Sequence, residues 1–360
     1  MSLFAVIMAG GAGTRFWPAS RERLPKQFLK ITSDRTLFEE TIARVARVAR
    51  SEHTYIVTNA AHADLARTLS GASVAELLAE PMGRNTAACI GLAALHINRR
   101  DGAAPIIALP SDHFVADADG FAEAVRAGAE VARSGAIVTL GITPTRPETG
   151  YGYIKMGAER GRVGNTPYYT VEKFVEKPNQ QTALSYLAAK QYLWNSGIFI
   201  FTAKTILSEI EANLPSLAAG LREIERAINR PDYAAVVEAV YRELDSVSVD
   251  YGIMEKAKAP MCVLKAEFGW SDVGSWQALY DLRREDYDEQ SNLLLGDALA
   301  VDSKRNLVYS TTDRLISLLG VEGLVIVDTP DALLIADMNR SQDVRLISER
   351  LRRNGRAGYC

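Results

Sequence analysis

The residues best placed to do chemistry stand near the start of the chain, in MAGGAGTRFWPASRERLPKQF, residues 8–28. Gly10, Gly11 and Gly13 let backbone N–H groups approach phosphate oxygens with no Cβ in the way, and Thr14 extends that backbone surface. Arg15 and Lys26 follow, with Arg21, Arg23 and Lys30 completing a local cationic cluster. A glycine turn followed by spaced cations suits a triphosphate. Two common glycine motifs fail here: a dinucleotide fingerprint begun at Gly11 would place its third glycine at Phe16, and the Gly-Lys-Ser/Thr ending of a P-loop is missing. Far along the chain, Asp112 in LPSDH and Asp272 in GWSDVGSW put acids into constrained turns. Two carboxylates carried into one crevice would hold Mg²⁺, a hard cation that takes oxygen ligands and keeps waters and substrate phosphates in its shell. Either Asp, read alone, also suits a turn or a helix cap.

Three further segments have the makings of a sugar site. TGYGY contains Gly152, which would let a sugar ring approach the backbone, though the same residues make an ordinary hairpin turn. FVEKP sets Glu176 beside Lys177, a pairing that suits a hydroxyl and a phosphate or, equally, a solvated surface. WNSG places Asn195 before the apolar run Ile198–Phe201, where it could bond a hydroxyl or serve turn chemistry.

These residues need a scaffold that brings distant loops together, and the pattern supplies one. Strands are expected at 3–8, 55–58, 76–79, 105–109 and 136–140, alternating with helices at 37–50, 61–69, 86–99 and 120–133. Short strands alternating with helices argue for a mostly parallel sheet covered on both faces, with ligands at the carboxyl ends of the strands. The glycine loop and Asp112 both fall at such ends. Residues 151–201 read as strands with turns, and helices follow at 203–211, 216–228 and 232–244. A charged linker at 281–290 then introduces brief apolar runs at 293–295, 298–301, 307–309, 315–319, 324–327 and 333–336, the texture of a small β-domain or a few β-helix coils. A helix at 341–353 closes the chain. The domains expected are 1–285 and 291–360.

Composition narrows the partners. The chain has 360 residues, 48% hydrophobic and 24% charged, and a net charge of −3, so neither nucleic acid nor an anionic membrane is expected to bind it. No apolar run approaches the roughly 20 residues of a membrane span, and no signal-like segment precedes the first strand, so a cytoplasmic location is expected. Cys89, Cys262 and Cys360 are too few and too widely spaced for a disulfide framework or a zinc site.

In order along the chain, GGAGTRFWPAS, LPKQF, EPMGRNTA, LPSDH, TGYGYI, VEKP, WNSGIF, SVDYGIMEK and WSDVGSW resemble the motifs of the mannose-1-phosphate guanylyltransferases, a branch of the sugar-nucleotide pyrophosphorylases. The resemblance covers residues 4–276. It implies a Rossmann-like α/β nucleotidyltransferase domain followed by a short left-handed β-helix, often used in dimer contacts, so a homodimer is expected. It also implies that GTP and mannose 1-phosphate give GDP-mannose and pyrophosphate. By the same resemblance Arg15 and Lys26 are catalytic. Gly10, Gly11, Gly13, Thr14, Glu80, Asn85 and Thr86 bind the nucleotide. Gly152, Glu176, Lys177 and Asn195 bind the sugar phosphate, and Asp112 and Asp272 hold Mg²⁺. The loop at Glu80–Thr86 looks like a guanine loop, with sound logic: guanine shows adjacent N1–H and N2–H₂ donors that a carboxylate can accept. Asn85 or Thr86 could instead cap the helix that starts there. Asp250, in SVDYGIMEK, would orient the sugar wall or cap a helix. The family commonly has Pro where Ala88 stands. Because the chain stops soon after its β-rich tail, no fused cupin-type isomerase domain is expected. The competing readings are a uridylyl- or thymidylyltransferase acting on glucose 1-phosphate and a catalytically silent nucleotide-sensing subunit.

Overall fold

A computed structural model describes residues 2–11 and 13–360, so Ala12, inside the glycine turn, lies outside the described residues. The chain forms two compact units: Met1–Gly10, Thr41–Ser111 and Val115–Trp270 in the first, and Gly11–Glu40, Asp112–Phe114 and Ser271–Cys360 in the second. A division by chain order at about residue 285 therefore differs from the division by packing.

The strands through residue 271 are β1 (Phe4–Ala9), β2 (Thr54–Asn59), β3 (Glu76–Glu80), β4 (Pro105–Pro110), β5 (Phe114–Val115), β6 (Ile137–Ile142), β7 (Tyr153–Val163), β8 (Thr166–Val175), β9 (Tyr192–Thr202), β10 (Met261–Ala266) and β11 (Trp270–Ser271). The first unit is built on a nine-stranded sheet ordered β3-β2-β1-β4-β9-β6-β10-β8-β7. β1 pairs in parallel with β2 and β4, β2 with β3, and β6 with β10. β1 is an apolar run because both of its faces are covered, every residue being buried, whereas β3 at the sheet edge leaves Glu76 and Ala79 exposed. β9 enters antiparallel between β4 and β6. The helix Asn85–Asp101 is buried along most of its length through small and branched residues, Ala87 to Leu95. It follows β3 and docks by its first turn: Ala87 N–H donates to Val247 O at 3.2 Å.

Several elements depart from the sequence expectation. The first helix ends at Val45 rather than at 50, and the "linker" at 281–290 contains the end of the helix Trp276–Leu282 and a short turn, Arg284–Asp286. A helix at Gln180–Ala189 sits inside the segment read as strands with turns. Its signal was present in Pro178-Asn179, since Asn179 Oδ1 caps it by accepting from Thr182 N–H at 2.9 Å.

In the second unit, β12 (Leu293–Leu295), β13 (Ala298–Val301), β14 (Leu307–Ser310), β15 (Ile316–Leu319), β16 (Leu324–Asp328) and β17 (Leu333–Asp337) stack as coils. β12, β14 and β16 pair in parallel, as do β13 and β15, while β17 returns antiparallel along β16. Buried Asn292 and Asn306 bond from coil to coil, Asn306 Nδ2 donating to Asn292 Oδ1 at 2.9 Å, and so satisfy polar groups in the turns. Residues 11–40 belong here because Phe16, Trp17, Leu29 and Ile31 share one core with Trp276, Leu307, Val325 and Val327. Trp276 is fully buried, and losing a side chain of that size from such a core costs about 3–5 kcal/mol.

Among the described residues, no helix is long and apolar enough to cross a membrane.

Candidate active site

The second unit holds the cations of the glycine loop. Gly13 takes the left-handed conformation, φ +59°, and opens the short turn Thr14–Phe16 that carries Arg15. A Cβ on Gly13 would stand 2.4 Å from Lys26 Cβ, so the bare backbone is what lets the Lys26 segment lie against the loop. Pro25 then leads into the turn Lys26–Phe28, whose side chains are all buried. Lys26 Nζ bonds the Asp112 carboxylate at 2.9 Å and the Asp272 carbonyl at 2.6 Å, and lies 5.8 Å from the centre of the Phe16 ring. Arg15 Nη1 donates to Gly274 O at 3.1 Å. Both cations thus rest on the WSDVGSW turn. That turn is strained: Val273, β-branched and fully buried, is held at φ +44°. Gly11 is exposed and Thr14 half-buried.

Burial works to raise the Asp112 carboxyl, but the Lys26 ammonium, helped by His113, outweighs it and holds the group below the ordinary carboxylate range. Arg21 does not belong to the phosphate cluster. It is buried, with Nη1 on Tyr359 O and Nη2 on Asp331, each at 2.7 Å, so the guanidinium ties the glycine-loop segment to the end of the chain.

The donor set around Lys26 fits Mg²⁺. An ammonium already seats against one Asp carboxylate and the carbonyl of the other, which marks this place as favourable to a cation. Among the described residues no group of three or more His, Cys, Asp or Glu could enclose a metal; the Asp112 carboxylate and the Asp272 carbonyl meet at Lys26, so a bound Mg²⁺ would draw its remaining ligands from water and phosphate.

The first unit holds the base loop and the sugar wall. Glu80 ends β3, is 4% exposed, and accepts from Tyr241 Oη–H at 3.0 Å. Burial raises its carboxyl to about 7 against the lowering effect of that hydrogen bond. Gly10, at the end of β1, lies alongside: a Cβ there would be 3.9 Å from Glu80 Oε2. Asn85 sits at φ +65°, and its Oδ1 accepts from Thr86 N–H at 2.9 Å. Thr86 Oγ1 accepts from Val249 N–H at 2.8 Å. Both side chains therefore do local structural work at the helix start. Arg84, to which the motifs assign no role, fixes the loop by donating to the Tyr241 and Arg242 carbonyls at 2.6 and 2.7 Å.

Gly152, Glu176, Lys177, Asn195 and Asp250 converge. Asn195 N–H donates to Gly152 O at 2.8 Å, and a Cβ on Gly152 would stand 2.4 Å from Glu176 Oε2 and 3.2 Å from Asn195 Cβ. Glu176 is ion-paired to Lys177, which is held at φ +46°. Burial works to lower the Lys177 ammonium, but the Glu176 contact outweighs it and raises the group above its usual range. The WNSG motif is not the end of a turn but an irregularity within β9, where the pairing with β6 shifts between Thr139 and Gly141. Ser196 Oγ fills the interrupted ladder by donating to Leu140 O at 2.6 Å, and the bulge aims Asn195 at Asp250, Nδ2 to Oδ1 at 2.9 Å. Glu255 secures the other side, accepting from Glu176 N–H at 3.1 Å.

Ordered motifs that fold into these clusters match known proteins along the whole chain. The family model described as nucleotidyl transferase matches residues 4–289, and one described as a mannose-phosphate isomerase/GMP-like beta-helix domain matches residues 296–351. The chain belongs to the nucleotidyl transferase family. Among curated relatives, the mannose-1-phosphate guanylyltransferases of Klebsiella pneumoniae and Escherichia coli are each 40% identical over 99% of this chain and 75% of their own length. A solved structure named mannose-1-phosphate geranyltransferase, from Thermus thermophilus, superimposes with a TM-score of 0.86 at 37% identity, covering 98% of this chain and 100% of that one. A nucleotidyl transferase domain with a largely parallel sheet, followed by a β-helix domain, is thus the fold, and the protein is an enzyme of the nucleotidyltransferase class.

Proposed function

We propose that the protein joins GTP to α-D-mannose 1-phosphate, giving GDP-mannose and pyrophosphate. The likeness to the two guanylyltransferases over nearly the full chain carries the substrate assignment. The seating of Lys26 against Asp112 and the Asp272 carbonyl supports the chemistry. A phosphate oxygen of the sugar attacks the α-phosphorus in line, the bond from that phosphorus to the bridging β-phosphate oxygen breaks, and pyrophosphate leaves with the electron pair. No covalent enzyme intermediate is needed, so the protein contributes position and charge.

Lys26 is already locked in place and meets the reacting phosphates as a preorganised donor. Arg15 meets the triphosphate and the departing pyrophosphate, and Gly10, Gly11, Gly13 and Thr14 offer backbone contacts. Asp112 and Asp272 would hold Mg²⁺, which supplies charge neutralisation between two anions that otherwise repel. Glu80 accepts the guanine N1–H and N2–H₂ donors with the oxygen that Tyr241 leaves, beside Asn85 and Thr86. Because those donors favour the ionised form, GTP lowers the Glu80 pKa on binding. Lys177 takes the sugar phosphate, and Gly152, Glu176 and Asn195 line the hexose. We place the enzyme in the cytoplasm.

The reading includes a homodimer formed through the β-helix. Leu299, Val301 and Leu319 are 53%, 44% and 74% exposed on the outward face of the β13–β15 pair, an apolar surface suited to a second copy. Sedimentation equilibrium giving a monomer at micromolar concentration would remove that part.

The deciding experiment measures pyrophosphate release over a panel of nucleoside triphosphates and sugar 1-phosphates, with and without Mg²⁺. GTP with mannose 1-phosphate is expected to be fastest, and faster turnover with UTP or dTTP sinks the base assignment.

A further inference from the structure

Next to the base loop the first unit contains a cavity of about 240 Å³ to which the chemistry above assigns no role. One wall is the first turn of the helix Asn85–Asp101, through Ala87 and Ala88. A second is the junction of the helices Ala203–Asn213 and Pro215–Ala227, and the third is the stretch that leaves the helix Tyr233–Glu243, through Leu244 and Val247. Its buried surface is Ala and Leu, whereas Ser216 and Asp245 are exposed, so the cavity opens to solvent on that side. Size restricts the occupant. A cavity of roughly 150 Å³ already takes up benzene and drug-sized ligands fill roughly 300 Å³ or more, so this one suits one ring or two fused rings.

Lining restricts it further. Asn213 gives both Nδ2 hydrogens to Glu209, to its carbonyl at 3.0 Å and to Oε2 at 2.9 Å, so Oδ1 is the atom it offers a ligand. Glu209, itself buried, is fixed by Lys258 N–H at 3.1 Å and Ala259 N–H at 2.7 Å, which keeps that amide from turning over. Asp245 adds a carboxylate at the mouth, and the Ser216 hydroxyl can donate or accept.

We propose that this cavity is a second ligand site, for a small planar heteroarene that is apolar on its faces and carries an N–H donor on its edge, and that its occupant strengthens nucleotide binding. The coupling follows from what the walls do. Val247 O accepts from Ala87 N–H at 3.2 Å, and Val249 N–H donates to Thr86 Oγ1 at 2.8 Å. The helix that ends before Leu244 carries Tyr241, the partner of Glu80. The same stretch therefore forms one side of the cavity and anchors the loop after β3. Because the Ala87–Val247 bond already joins two of the walls, an occupant that fills the space binds that joined arrangement and favours it over any in which the stretch has come away. By linkage the triphosphate then binds more tightly to the occupied protein, and the occupant more tightly to the nucleotide-bound one. The site stands without the function proposed above, and the coupling rests on that reading through the base loop.

The probes are indole, which carries the N–H, and benzofuran, the same shape without it. By isothermal titration calorimetry indole is expected to bind wild type once per chain, and benzofuran about three- to tenfold more weakly, as for one lost hydrogen bond. In methyl-labelled protein, nuclear Overhauser contacts should run from the indole ring to Leu217, Leu244 and Val247. Ala88→Leu, which fills the cavity, should abolish binding. At saturating indole the Kd of GTP should fall about fivefold, the lower end of allosteric coupling. Absence of saturable binding, contacts to other methyls, or binding that survives Ala88→Leu overturns the site. Equal affinity for the two probes refutes the donor requirement, and an unchanged Kd of GTP refutes the coupling. If Ala88→Leu does not fold, the methyl contacts in wild type decide. Failure of the function reading looks different: GTP itself does not bind wild type, and the coupling is then measured with the triphosphate that does.

Discussion

Asp112 and Asp250 are both aspartates set near a lysine, yet their carboxyls move in opposite directions. Lys26 bonds Asp112 directly at 2.9 Å and holds its carboxyl below the ordinary carboxylate range, whereas the nearest ammonium to Asp250 is already taken by Glu176 and its carboxyl rises to about 6. Glu80, at the base loop, follows Asp250, with burial raising it to about 7 against the Tyr241 hydrogen bond alone. The acid of the second unit is thus fixed in charge across the physiological range, and those of the first unit titrate within or near it. On the functions proposed here, the groups that handle phosphate are built to be insensitive to pH, while the groups that choose base and sugar depend on which donors the substrate brings.

Removing the phosphate cation tests the first half of this contrast most severely. Lys26→Ala is expected to lower kcat on the order of 10²-fold or more, the scale seen when a preorganised charge-stabilising donor is lost. It also leaves Asp112 without its partner, so the carboxyl climbs toward and above its ordinary value. A wild-type rate in this variant, measured by pyrophosphate release, takes Lys26 out of the mechanism.

A gentler perturbation of the same cluster is Gly13→Ala. The new Cβ would stand 2.4 Å from Lys26 Cβ, and the left-handed backbone costs an L-residue roughly 1–2 kcal/mol. Turnover should fall about tenfold through a displaced Lys26, with the KM for mannose 1-phosphate unchanged because the sugar wall belongs to the other unit. A selective rise in that KM would mean the two clusters are not separable.

On the titrating side, Glu80 makes a prediction about stability with a definite sign. Its folded pKa of about 7 exceeds the model-peptide value of 4.5, so the native state keeps a proton that the unfolded chain has lost. Its contribution is complete below about pH 4.5 and is lost as pH rises toward 7, by about 3 kcal/mol at 1.36 kcal/mol per unit. Glu80→Gln keeps the Tyr241 hydrogen bond and should flatten that part of the profile of Tm against pH. An unchanged profile would place the titration elsewhere.

The smallest effect expected is from Glu255→Gln, which weakens the grip on the Glu176 backbone N–H. The KM for the sugar phosphate should rise roughly two- to fivefold, the worth of turning a charge-assisted hydrogen bond into a neutral one, with kcat held. An equal fall in kcat would show that Glu255 supports the reacting phosphates as well.

Much of this was legible in the chain alone. The order of strands and helices through residue 142 and the six apolar runs of the β-helix follow from hydrophobic periodicity and turn residues, because a buried strand and an amphipathic helix leave patterns that neighbours in sequence preserve. The glycine turn with Arg15 and Lys26 is likewise local chemistry. What a one-dimensional pattern does not carry is partnership. Arg21 reads as one more phosphate cation until Tyr359 and Asp331 claim it, and Asn195 reads as a turn residue or a sugar contact until Thr139 and Gly197 are seen to donate to its Oδ1 and its Nδ2 to donate to Asp250. Asp112 and Asp272 are separated by much of the chain, and only folding sets one lysine against both loops. Sequence alone determined which residue types were available and on which elements. Tertiary structure decided which hydrogen bonds and charges were already spent, because long-range contacts and burial, not residue identity, set the protonation state and free valence of each group.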